Sequence, residues 1–131
     1  MGLFNGLFGK TSDETEKEKK QVPWRPLVSV DQFEEIAEKS KTKTQVIFKH
    51  STSCGISSMV LNTFNANYNF SKDFFDLHFL DLHSYRKVSN ETSNRFQVLH
   101  QSPQLLVIRN GVAVTHGSHG DINHIDLTEY Q

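Results

Sequence analysis

The chain has 131 residues, a formal net charge of -1, a hydrophobic share of 36% and a single cysteine. That length supports one modest core, and the near-neutral balance excludes the basic excess of a nucleic-acid binder. The lone cysteine excludes an intramolecular disulfide and any cysteine-cluster metal site.

Membrane and export signals are missing from the pattern. No stretch approaches the roughly 20 apolar residues of a membrane span. Met1 to Gly9 has no basic start and too short an apolar run for a secretory signal. It also fails the myristoylation pattern, because Gly6 stands where Ser or Thr is required. A cytoplasmic protein is the expectation.

Residues 1–22 read as a disordered N-terminal tail, and 23–131 as the folded domain. The tail opens with Leu3, Phe4, Leu7 and Phe8 at helical spacing, a pattern that is either a short contact peptide or a frayed end. Lys10 to Gln21 carries no apolar residue and cannot bury anything. Trp24 sits where tail meets domain, as a packing anchor.

Pro26-Leu27-Val28 suits a short edge strand. Ser29 and Gln32 form a capping box for a helix whose inner stripe is Phe33, Ile36 and Ala37. Gln45 to Lys49 has the β-rich character of a buried strand. After the polar Ser51-Thr52-Ser53, Cys54 opens a helix with Met59, Val60 and Phe64 inward. Phe74 to Leu82 is the next strand. Ser89 to Leu99 follows as a helix with Phe96 and Leu99 inward. Gln104 to Ile108 is a strand, Asn110-Gly111 a hairpin turn, and Val112 to Val114 the returning strand. A last helix is expected from about Asp121.

The order is β-α-β-α-β-α-β-β-α, with right-handed crossovers in its first part. It is similar to the thioredoxin fold: an α/β domain with a mixed central sheet flanked by helices.

Within that order, Cys54 is the candidate nucleophile. A thiolate attacks disulfides, and a helix N-terminus offers unpaired N–H groups and the positive end of a dipole. Both favour negative charge on sulfur. Lys49 and His50 lie near in sequence and could add to this. One helical turn after Cys54, dithiol oxidoreductases carry a second cysteine; here the residue is Ser57. A hydroxyl can donate a hydrogen bond to the thiolate but cannot form a disulfide. Release of a thiol adduct therefore needs an external partner. In the thioredoxin fold a cis proline lies beside the reactive cysteine, and the backbone before it pairs with substrate. Ser102-Pro103 stands at the matching place, and its isomer is left open by sequence.

Lys49 to Ser57, Ser102-Pro103-Gln104 and His116 to His119 resemble segments of the monothiol bacilliredoxin family. The resemblance runs from about Val28 to Ile125. Gly55 departs from the proline common there. The resemblance implies a monothiol oxidoreductase that removes bacillithiol from S-thiolated client proteins, with a low-molecular-weight thiol or a reductase as regenerating partner. It implies Cys54 and Ser57 as catalytic residues. Ser53, Gly55, Ile56, Ser102, Pro103, Ser118 and His119 would line the substrate. No resident cofactor or metal is expected.

A second resemblance is to the monothiol glutaredoxins. Their Cys-Gly-Phe-Ser motif is echoed by Cys54-Gly55-Ile56-Ser57, and their later pattern by Asn110-Gly111 and Gly120-Asp121. It implies a shared iron–sulfur cluster, although Gln101-Ser102-Pro103 replaces their Thr-Val-Pro. A non-catalytic redox sensor or binding module is the remaining alternative.

Seven histidines, including the His116/His119 and His78/His83 pairs, form no recognised metal-ligand spacing. Nothing fixes one beside Cys54 as in a Cys-His hydrolase.

Overall fold

The computed structural model describes residues 21–131, so expectations for residues 1–20 lie outside the described region. Its five-stranded sheet runs in the order β1-β3-β2-β4-β5. The strands are β1 (Trp24–Pro26), β2 (Thr44–His50), β3 (Phe75–Asp81), β4 (Gln104–Arg109) and β5 (Val112–Ser118). The helices are α1 (Gln32–Lys39), α2 (Gly55–Asn67) and α3 (Arg86–Phe96). β1, β2 and β3 run parallel, while β4 and β5 are antiparallel to their neighbours. The mixed α/β architecture expected from element order is present. No described helix is long and apolar enough to cross a membrane.

Alternation along β2 divides the core between the two sheet faces. Ile47 joins Phe33, Ile36, Val88, Phe96 and Leu106 on the α1/α3 face. Val46 and Phe48 join Val60, Phe64, Leu105 and Ile122 on the other. Trp24 packs against Phe48, Phe64 and Phe79 and donates its indole N–H to Asn65 Oδ1 at 2.9 Å. Val22, grouped with the tail by composition, packs on the same cluster.

Local signals explain the joints. Gln32 Oε1 accepts from the backbone N–H of Ser29, the return half of the capping box, while Ser29 Oγ accepts from Asp31 N–H. Asn110 and Gly111 both take positive φ, at 54° and 80°, as a type I′ hairpin requires.

Several sequence expectations are corrected. α3 ends at Phe96 because Gln97 turns left-handed, at φ 56°. Val98 then takes the inward place assigned to Leu99, which is 81% exposed. Met59 is also exposed, since the buried stripe of α2 runs through Ser57, Val60 and Phe64. β5 extends to Ser118. In place of a final α-helix there are two 3₁₀ segments, His119–His124 and Leu127–Tyr130. Asn123, His124 and Asp126 are poor helix formers, and an extended break at Ile125 lets Ile122 and Leu127 both reach the core.

Candidate active site

One end of the sheet gathers the site. β2 and β3 finish there, β4 begins there, and β5 returns to it. Lys49 is paired with Gln104, and Gln104 with Ser118. The loop after β2 delivers Cys54 to the N-cap of α2, half-buried, in extended backbone, and without a side-chain capping bond. The sulfur is thus at the open end of the helix and not consumed by it.

Ser57, one turn on, is fully buried. Its Oγ accepts from the backbone N–H of Ser51 at 3.0 Å and lies 2.7 Å from His50 Nδ1. With His50 neutral and Nδ1 bare, the hydroxyl donates its own proton there. The hydrogen bond from Ser57 to sulfur raised by the sequence is therefore not formed among the described residues. Burial, opposed by the Asp81 carboxylate and aided by the neighbouring His83, holds His50 below the usual histidine range. A neutral His50 is the acceptor that Ser57 needs.

A second histidine holds the other side of the loop. His83 Nε2 lies 2.8 Å from Ser51 Oγ and 3.1 Å from Ser53 Oγ. The backbone N–H of His83 donates to Asp81 Oδ1 at 3.2 Å. Ser51 and Ser53 belong to the loop that leads into Cys54, so His83 ties the nucleophile's loop to the end of β3. The sequence offered no signal for this contact, since the partners lie about thirty positions apart.

Ser102-Pro103 is a cis peptide. The N–H of His119 donates to the Pro103 carbonyl at 3.0 Å, which brings the Ser118–His119 bend against the proline. Ser102 Oγ is enclosed without a hydrogen-bond partner. Gly55 and Ile56 are exposed on the first turn of α2. A Cβ added at Gly55 would meet nothing within 4 Å, so a larger residue fits there. Ser53 and Cys54 end the loop after β2 and Gly55, Ile56 and Ser57 open α2, while Ser102 and Pro103 lead into β4, Ser118 ends β5 and His119 begins the first 3₁₀ segment.

A lone thiol on a helix cap, at the end of a mixed sheet where a cis proline leads into the antiparallel strand β4, defines a thioredoxin-like domain of monothiol redox type. Residues 25–127 match the family described as monothiol bacilliredoxin BrxC. The chain belongs to that family.

Solved structures agree. One, described as a proposed oxidoreductase with a thioredoxin fold, is 33% identical with a TM-score of 0.69, covering 82% of this chain and 92% of that one. The thioredoxin of Malassezia sympodialis is 18% identical, with a TM-score of 0.68 over 84% of this chain and 92% of its own. That of Fasciola hepatica is 15% identical, with a TM-score of 0.66 over 82% and 99%. The latter two show the fold alone. Together with the single cysteine, the family assigns a thiol redox function.

Proposed function

We propose that the protein removes bacillithiol from protein mixed disulfides, in the cytoplasm, through Cys54 alone. The observation that carries this is the pairing of a half-buried thiol at a helix N-cap with a buried Ser57 in the place of a second thiol. Family membership supports bacillithiol as the carried thiol.

The Cys54 thiolate attacks the bacillithiol sulfur of the mixed disulfide. The client sulfur leaves with the bonding pair and takes a proton from solvent. Cys54 now holds bacillithiol in a new S–S bond. A second low-molecular-weight thiol, as thiolate, attacks that bond, restores Cys54 and departs as a mixed or symmetrical disulfide. Electrons balance in each exchange, and no internal resolving step exists.

Intact-mass measurement after exposure to the disulfides of bacillithiol, glutathione and coenzyme A tests the reading. A single adduct on Cys54, formed fastest with bacillithiol, and loss of bacillithiol from a loaded client on repeated turnover are expected. Equal labelling by all three without turnover would replace the enzyme with an indiscriminate sensor.

A further inference from the structure

We infer that Lys49, Gln104 and His100 form a clamp on the backbone leading into Pro103, which makes Lys49 and His100 positioning residues for the docking of disulfide substrate. The inference rests on the function proposed above and on the sequence expectation that the backbone before Pro103 pairs with substrate.

Lys49 is fully buried in the central strand, on the face opposite His50. Such a side chain is rarely enclosed without a carboxylate, yet its one described partner is His100 Nδ1 at 3.0 Å. Its cross-strand neighbour Gln104, 1% exposed, donates from Nε2 to the Leu99 carbonyl at 2.9 Å. Two adjacent sheet residues therefore reach consecutive residues of one loop. Leu99 and His100 are themselves exposed, so apolar packing does little to hold them. The polar bonds supply the fixed geometry.

The chemistry of the bond sets its conditions. An ammonium has only donors, so Nδ1 of His100 must be the bare nitrogen and Nε2 must carry the proton. Burial lowers Lys49 to about 8. Burial, then the positive charges of Lys49 and of Arg86 on α3, hold His100 below its ordinary value. In acid a protonated His100 loses its acceptor and faces two cations. In base Lys49 becomes a neutral amine and the charge assistance is lost. The clamp is tightest between these limits.

His100→Ala and His100→Gln test this, since the side chain is exposed and its replacement leaves the core untouched. In the wild type, nitrogen NMR is expected to show the Nε2–H tautomer of His100 near neutral pH. Backbone order parameters for 99–102 should be near about 0.85, falling below about 0.6 in His100→Ala. With a bacillithiol-loaded client, His100→Ala should raise KM about five- to tenfold with kcat little changed. In His100→Gln the amide oxygen still accepts from Lys49. That variant should keep the wild-type KM and lose only the acid limb of its pH profile. The opposite tautomer, an unchanged loop in His100→Ala, or an acid limb retained in His100→Gln would overturn the clamp. If the wild type takes up no thiol adduct, the proposed function fails while the NMR outcomes still decide the clamp.

Discussion

The two ends of the sheet each enclose a polar network built around a histidine, but they balance charge differently. At the end where β2 and β3 begin, Asp76 receives Lys43 at 2.9 Å and Arg25 at 3.3 Å, and accepts from Gln45 Nε2 at 3.0 Å. Burial opposes its ionisation, but the hydrogen bonds from Lys43 and Gln45 and the two cations outweigh this and keep the carboxyl below its usual range. His78 donates to Gln45 Oε1 at 2.9 Å, and burial pushes it down to about 4. Every charge there has an opposite. At the Cys54 end, Lys49 meets a histidine, and His50 and His83 meet hydroxyls. Lys49, enclosed with a histidine in place of a carboxylate and lowered by burial to about 8, changes state near neutral pH. Asp76, held by two cations, does not. The first end is built to stay fixed, the second to respond.

The strongest test of that contrast is Cys54→Ala, which should abolish adduct formation outright by intact mass while leaving thermal unfolding almost unchanged. Asp76→Ala should do the reverse. Removing the carboxylate strands buried partners and should cost about 3 kcal/mol in urea unfolding, with Cys54 alkylation at the wild-type rate. His78 gives this end a pH signature. Its folded value of about 4 lies below the ordinary 6.5, so the unfolded chain binds the proton first. Stability is fully present above about pH 6.5 and falls by about 3 kcal/mol as pH drops to about 4. His78→Phe should flatten that slope.

At the responsive end, Lys49→Met should raise stability by about 1 kcal/mol, because an apolar side chain of similar length carries no desolvation cost. A fall in the midpoint of thermal unfolding would mean that the lysine stabilises the fold and the contrast is misdrawn. The smallest effect is expected from His83→Ala. Freeing Ser51 and Ser53 should slow disulfide exchange at Cys54 about two- to fivefold, with little change in unfolding. An unchanged exchange rate would remove His83 from the site.

Most of the fold was legible because apolar periodicity and turn residues act locally. The strand at Gln45–Lys49, the Asn110-Gly111 hairpin and the Cys54 helix start all carried their own signals. The loop proline was legible by position, although its isomer was not. The failures are where tertiary contacts decide. Leu99 and Met59 fit a helical stripe on paper, but one residue of shift at Gln97, and the burial of Ser57, turned them outward. Burial of Ser57 and Lys49 runs against residue type, so composition argues for the surface in both cases. His83 and His100 reach the site by contacts across distant segments, which a single sequence does not display.

The solitary thiol also governs how the chain keeps electrons. A dithiol enzyme gives up two electrons within itself and has a midpoint potential of its own. Cys54 surrenders its share only by taking on half of another molecule. Its oxidised fraction must therefore follow the concentrations of free thiol and of mixed disulfide around it. In a redox titration the ratio of small disulfide to small thiol at half-oxidation should stay constant when the total amount of small thiol is changed, while the apparent midpoint potential moves. Such a chain is a gauge of its surroundings, with no zero point until its thiol partner is named.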